Sequence, residues 1–537
     1  MYFALEFEIQ YDSGIIKDYF SEKYQKNIDP NSLECLMSKF CFLMGTNIVA
    51  FKNLKNDLKI ILRKKTESVY PDILVCKFCE SKLISYDSSI LYTYSLNKSG
   101  NVRFIRKSCT KCQAFYEIDR YGIGAKTYFY EFSSTKYFKL SNQTVFHLDI
   151  LIDISHHIAR NNMTFEGYSE VYNHKNGETS RTLNRKRLSE IWFSYQLRKY
   201  QNIFDENLKC FDSKNTEFFL EGCLSKIHKS LFDDWIIIHE KQCRDEVCKS
   251  TVILDGNLKC NRLRCIVDYD SSDENSFGCP ETPKIGSYYC EKHIISNMIN
   301  NDFLPPDDFV MIHSHQKNKK GEIIFHVKFN SAPKNRFIEK SIVEKWTAEY
   351  DAYIKNYNKT KTEKLSCILN KDLFFNKKHT AGITLGATGC GFILNFKEMI
   401  RSESLKFVSK FLIETSNLSE KNQFKFCIYD NSCHLSEYCQ SKIENGETEY
   451  SIFKETYFVI DNFHIKNHCR SKCTEKHSAK NFEELKSINT QICEELFSRI
   501  SKSKHNTKHM GKNHFIFYYL VLFDSMNKLK YNAFLKN

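Results

Sequence analysis

Apolar positions along the chain fall into two kinds of run. From about residue 140 to 240 they recur at helical spacing, as in Leu183, Leu188, Ile191, Trp192, Tyr195 and Leu197. Arg181, Arg185, Lys186, Arg187, Arg198 and Lys199 are interspersed, so this stretch reads as a basic amphipathic helix, either a DNA-backbone contact face or a solvated surface. In the second half, short strand-like runs alternate with helical ones. TVILDGNLKCNRLRCIV (251–267) predicts a strand reaching Asp255, a Gly-Asn turn and a second strand returning through Leu258 and Leu263. GITLGATGCGFILNF (382–396) predicts a third strand, and Lys397 to Glu414 a helix with Phe407, Val408, Phe411 and Leu412 on its apolar side. FKFCIY (424–429) predicts a buried strand that delivers Asp430 at its carboxyl end. A helix over His434–Ile443, a strand over Tyr457–Ile460 and a long helix over Glu483–Ser501 complete the order β-β-β-α-β-α-β-α.

Composition adds scale. With 42% hydrophobic and 14% aromatic residues against only 7 Pro and 18 Gly, the 537 residues carry enough apolar material for several folded modules and too little linker for a disordered chain. The longest apolar run, Phe515 to Phe523, is far short of the roughly 20 residues that span a bilayer, so no membrane partner is expected. The opening MYFALEFEIQYDSG lacks the pattern of a secretory signal and points to an intracellular setting. There, 22 cysteines point to metal rather than disulfides. A net charge of +13 fits a polyanion partner and equally fits a merely soluble surface.

The cysteines divide the chain. Residues 1–69, ending in a basic helix-like stretch over Asn53–Lys65, carry no assigned role. Cys76-Lys-Phe-Cys79 and Cys109-Thr-Lys-Cys112 flank a strand-like segment and predict a zinc ribbon over 70–125, with four thiolates closing a structural tetrahedral site. A helical, basic region over 126–238 follows, then an α/β domain over 239–537. Residues 256–429 between Asp255 and Asp430 exceed what two strands and a helix need, which implies an insertion at about 260–380. His239, Cys243 and Cys248 before Asp255, and Cys265, Cys279, Cys290 and His293 after it, have zinc-ligand spacing and would brace the hairpin; Cys260 is the expected bystander. Asp461-Asn-Phe-His464-Ile-Lys-Asn-His468 puts two imidazoles at i, i+4 on one helix face near Cys473. A zinc site of His464, His468 and Cys473, phosphate or active-site contacts, and ordinary packed histidines all remain open.

The element order is that of an RNase H fold, with acids on the first strand (Asp255), after the fourth (Asp430) and on a late helix (Glu494). Hard divalent ions such as Mg²⁺ or Mn²⁺ prefer carboxylate and water oxygen, and three carboxylates can hold two ions with positions left open for an in-line phosphodiester displacement. An Asp after a strand is more often a turn residue or cap, and Asp461, which also ends a strand, is a rival for one of the three places.

The runs LDGNLKCNRLRC, GCGFILNFKEMIRSES, IYDNSCHL, IDNFHIKNHC, NTQICEELFSRIS and HMGKNHFIFYYLVLFDSMN together resemble the Kyakuja-Dileera-Zisupton (KDZ) family of eukaryotic DNA transposases. The ribbon around Cys76, Cys79, Cys109 and Cys112 is similar to the cysteine-cluster modules that accompany them. The resemblance spans about residues 70–125 and 240–530. It implies an RNase H-like DDE core with zinc-binding insertions, in which Asp255, Asp430 and Glu494 match the three metal-binding acids. Glu494 is preferred to Glu495 because Cys493-Glu494 precedes Phe497-Ser498, as in the family pattern; Arg499 departs from it where a Trp is expected. The Asp-His-His-Cys pattern of 461–473 belongs to it too. The implied activity is nuclear: two-metal cleavage of double-stranded DNA and strand transfer between transposon ends and target, by a homo-oligomer with structural Zn²⁺. The alternative from another class is a domesticated DNA- or chromatin-binding zinc protein.

Overall fold

The computed structural model describes residues 68–203 except 98 and 178–180, then 216–265, 279–284, 290–291, 379–400, 403–418 and 423–535, together with the backbone of three strands between 309 and 339. The Asn53–Lys65 stretch, His293 and most of the expected insertion lie outside the described residues. The chain forms two units, residues 1–219 and 220–537.

Unit one is built on an eight-stranded sheet. Its strands are β1 (Ser68–Val69), β2 (Leu83–Tyr94), β3 (Gly100–Cys109), β4 (Phe115–Tyr116), β5 (Arg120–Ile123), β6 (Lys126–Phe129), β7 (Tyr137–Ser141) and β8 (Thr144–His147), in the order β6-β5-β4-β3-β2-β8-β7 with β1 paired to β3. Helices α1 (Leu148–Asn161), α2 (Phe165–Asn176) and α3 (Arg185–Lys199) follow. The helical stretch therefore begins at Leu148, and the residues just before it pair as strands. Asn184 caps α3, its side chain accepting from the Arg187 amide at 2.9 Å. Arg198, read from sequence as part of a basic face, is buried with its guanidinium 3.7 Å from the buried Asp119 carboxylate. It is an internal ion-pair partner, not a backbone contact.

Unit two continues with α4 (Thr216–Gln242), whose first residues precede the boundary, α5 (Glu246–Lys249) and β9 (Thr251–Asn257). Strands β10 (Phe309–Ile312), β11 (Ile324–Phe329) and β12 (Arg336–Glu339) make a separate antiparallel sheet. After them come β13 (Gly382–Ala387), β14 (Ile393–Met399), α6 (Leu405–Ser416), β15 (Phe426–Ile428), α7 (Ser432–Glu444), β16 (Tyr457–Val459), α8 (Ser471–His477), α9 (Ile492–Ile500), α10 (Lys504–Thr507) and α11 (Lys512–Phe534). The main sheet runs β14-β13-β9-β15-β16, antiparallel across β14, β13 and β9 and parallel across β9, β15 and β16.

Two strand assignments change. The expected hairpin of 251–267 does not form: β9 runs on through Gly256 and pairs with β13, Asp255 opposite Leu385. Gly256 is extended, and a Cβ there would lie 2.5 Å from a Glu403 carboxylate oxygen, so it is a glycine for close approach and not for a turn. The stretch 382–396, expected as one strand, is two strands around a tight turn at Thr388–Gly391. The Gly391 amide donates to the Thr388 carbonyl at 2.9 Å, and Gly391 takes a φ of +90°. The long helix expected over 483–501 is α9 preceded by a 3-10 turn at Glu483–Ser487.

Alternation on the central strands sorts the two faces of this sheet. Val252, Leu254, Cys427 and Tyr429 join Phe407, Val408, Phe411 and Leu412 of α6 and Leu435 and Cys439 of α7 in one buried cluster. Elsewhere Phe396 of β14 packs edge-on against Phe523 of α11, and Asn527 bonds both backbone groups of Ile393 at 2.9 Å. No helix among the described residues is long and apolar enough to cross a membrane.

Candidate active site and metal centres

The register of the parallel strands places three aspartates level. Ile253, Ile428 and Val459 are partners across β9, β15 and β16, and Asp255, Asp430 and Asp461 each follow by two residues. Asp430 and Asp461 therefore leave the sheet together at the carboxyl ends of β15 and β16, and Asp255 lies level with them on β9, which runs on to Asn257 along β13; neighbouring strands are about 4.8 Å apart. Glu494 reaches the same place from α9. The buried Cys493 thiol before it donates to the Ile253 carbonyl at 3.2 Å, docking the helix two residues from Asp255. Glu495 instead faces solvent and accepts from the Asn489 amide at 2.9 Å.

The charges at this end feel one another. Burial pushes the Glu494 carboxyl above its usual range, and the charges of Asp461 and Asp430 add to that. Tyr429, buried beneath, is driven well up by burial and then by Glu403, Asp430 and Asp255. Glu403, held at Gly256 on the Tyr429 side, was not singled out from the sequence. Asp461 is organised by its own turn, its Oδ1 accepting from the amides of Phe463 at 2.7 Å and His464 at 3.0 Å. The ring Nδ1 of His464 lies 2.6 Å from Asp461 Oδ2 and 3.6 Å from Glu494 Oε1. The Asp461 hydrogen bond lifts the His464 pKa to about 8. Asp461, His464 and Glu494 are close enough to hold one ion together.

The expected pairing of His464 with His468 on one helix face is not seen. His464–Asn467 is a 3-10 turn and His468 is extended (φ −90°, ψ 133°), so the two rings diverge. His464 turns to the acids. His468 joins Cys433 and Cys473 in a separate group, with Nδ1 3.6 Å from Cys433 Sγ.

Three further groups could hold zinc. In the ribbon, Cys76 Sγ lies 3.4 Å from Cys112 Sγ, and Cys79 Sγ 3.4 Å from Cys109 Sγ. The knuckles match: Glu80 and Gln113 each sit in the left-handed region, donating back to the Cys76 and Cys109 carbonyls at 2.9 and 3.0 Å. Such a conformation costs a non-glycine residue about 1–3 kcal/mol and persists where the surroundings dictate it. Tyr116 donates to Cys76 Sγ at 3.2 Å, an outer-shell contact.

The cysteines expected to converge on one hairpin instead form two groups. His239, Cys243 and Cys248 meet Cys390, which the β13–β14 turn presents. Hydrogen bonding from Cys248, then from His239, draws the Cys390 thiol down to about 4 despite burial. Reading 382–396 as one strand hid that turn; Gly389-Cys390-Gly391 was the available signal. Cys265, Cys279 and Cys290 form the other group, with Cys279 and Cys290 sulfurs 4.0 Å apart. Cys260 is buried and joins none of the groups.

What the fold and site define is a mixed α/β protein with a sheet in unit two that gathers carboxylates at one end, and with cysteine and histidine clusters in both units that could hold zinc. Residues 312–527 of this chain match the family described as Kyakuja-Dileera-Zisupton transposase. The matched span holds Asp430, Asp461 and Glu494, while Asp255 and the ribbon precede it. No curated protein and no solved structure matches the chain.

Proposed function

We propose that the chain is a transposase-like DDE enzyme with an RNase H-type core, cutting DNA phosphodiester bonds and joining the freed 3′-hydroxyl to target DNA. The observation that carries the reading is the common level of Asp255, Asp430 and Asp461 across three parallel strands, with Glu494 brought in by α9. The sheet order and the mixed antiparallel and parallel pairing are those expected of such a core, and the family match takes in every strand of that sheet but β9.

The carboxylates fit divalent ions of the Mg²⁺ or Mn²⁺ class. Burial first, and then the charges of Asp461 and Asp430, hold Glu494 above its usual range, and cations binding among these acids would relieve that repulsion. Bound there, two such ions would supply Lewis-acid stabilisation of the attacking and leaving oxygens. Asp255, Asp430 and Glu494 are the holding residues. Asp461 orients His464, keeping an imidazolium beside Glu494 near neutral pH, where it can meet a phosphate oxygen. Cys493 fixes Glu494 against β9, and Gly256 leaves room for Glu403 under the strand end. The substrate is double-stranded DNA, reached in the nucleus by a protein of net charge +13, acting as a homo-oligomer that pairs two ends.

Plasmid nicking by the purified full chain in Mn²⁺ tests the reading. Wild type should nick supercoiled DNA, and Asp430→Ala should lose nicking while still shifting DNA on a gel. DNA binding with no metal-dependent nicking in either form would replace this reading with a domesticated DNA-binding zinc protein.

A further inference from the structure

We infer that Cys433, His468 and Cys473 form a zinc site that acts as a clamp on Asp430, so that a soft-metal site positions the hard-metal one. The clamp's role rests on the proposed acid site; the zinc site itself does not.

The His468 ring links the cluster to Asp430. Its Nε2 lies 2.9 Å from the backbone carbonyl oxygen of Asp430. A carbonyl accepts and never donates, so Nε2 carries the hydrogen. In the neutral ring that leaves the lone pair on Nδ1, and Nδ1 points at Cys433 Sγ, 3.6 Å away. The third group, Cys473 Sγ, is fully buried within the same cluster. Two thiols and an imidazole nitrogen with its tautomer set by an outer carbonyl are a zinc donor set, and the His–carbonyl bond is the usual outer-shell companion of a histidine ligand.

The three ligands come from different elements. Cys433 lies in the first turn of α7, three residues after Asp430; His468 is in the loop leaving β16; Cys473 is on α8. At its far end α8 is fastened to β16, His477 Nδ1 donating to the Phe458 carbonyl at 2.8 Å and the Ile460 amide to the His477 carbonyl at 2.6 Å. An ion here would join the carboxyl ends of β15 and β16 and close the segment 461–473, which carries Asp461 and His464. His464 is no part of this group; it faces the acids.

Zinc per chain, measured by mass spectrometry on the purified full protein, gives the first readout. Cys433→Ser, Cys473→Ser and His468→Ala should each hold one zinc fewer than wild type, and Cys439→Ala, a buried cysteine on the same helix outside the group, should hold the wild-type number. If a serine variant fails to fold, Co²⁺-substituted wild type decides by the count of thiolate–cobalt charge-transfer chromophores. One fewer than the four cysteine groups among the described residues require would overturn the site. His468→Cys tests the clamp. It keeps a zinc ligand but cannot donate to the Asp430 carbonyl, so zinc should stay at the wild-type number while Mn²⁺ binding at the acids weakens about tenfold. Unchanged Mn²⁺ affinity in that variant would refute the clamp and leave the zinc site standing. Loss of zinc with wild-type nicking would refute the clamp as well, whereas a wild type that never nicks bears on the enzymatic reading alone.

Discussion

Gly382→Ala tests how the strand bearing Asp255 is held. Gly382 opens β13 with a φ of +100°, and a Cβ there would collide with the Asn257 carbonyl oxygen, at the end of β9 two residues beyond Asp255. Two effects add. A side chain in that backbone region costs about 1–3 kcal/mol, and overpacking against backbone that cannot step aside costs about 1–3 kcal/mol more. Gly446→Ala is the internal control, because Gly446 also has positive φ (+81°) but nothing lies within 4 Å of its Cβ position. It should carry the conformational cost alone, about 1–3 kcal/mol. Hydrogen exchange of peptides covering 251–257 and 382–387 reads the difference locally. Protection there should fall roughly 5- to 150-fold further in Gly382→Ala than in Gly446→Ala, since the extra cost is about 1–3 kcal/mol and about 1.4 kcal/mol is a factor of ten. Equal losses would mean that Asn257 does not sit against Gly382, and that the register carrying Asp255 is wrong.

Other expectations concern both units. Asp119 is buried, and although burial acts to raise its pKa, the charge and hydrogen bonds of Arg120, with Arg198 and the Lys139 amide, hold it below the usual value. Its contribution to stability is therefore present above its unfolded pKa of about 3.9 and lost as pH falls through the lower folded value. Asp119→Asn should destabilise unit one by about 3–5 kcal/mol near neutral pH, because it strands the buried Arg198. A thermal shift under 2 °C would count against that ion pair. Cys109→Ser in the ribbon should release one zinc and unfold the knuckle, seen as rapid exchange over 76–82 and 109–116; retained zinc and protection would contradict a four-thiolate site. Glu494→Gln should abolish Mn²⁺-dependent nicking while Glu495→Gln leaves it within about threefold, and the reverse ranking would exchange their roles.

The parts legible in the sequence were those encoded locally. FKFCIY is a short apolar run between turn signals, so the strand and Asp430 at its end follow from pattern alone. The two CxxC knuckles are likewise self-contained. What stayed hidden depended on partners distant in sequence. Gly256-Asn257 carries the same residues as a hairpin turn, and its true reason is a carboxylate approaching from Glu403. Cys390 meets His239 because β13 and β14 turn there, and no spacing rule links residues so far apart. His464 and His468 have helical spacing, but Asp461 captures the amides of the turn and the carbonyl of Asp430 captures His468, so tertiary hydrogen bonds override the local period.

Mn²⁺ binding followed by electron paramagnetic resonance on the zinc-loaded full chain tests the acid site most directly. Two Mn²⁺ ions per chain are expected, with the exchange broadening of a close pair, lost on Asp255→Asn or Asp430→Asn with zinc content unchanged. Wild-type Mn²⁺ binding in both variants would show that the level aspartates are not the ligands and would contradict the account.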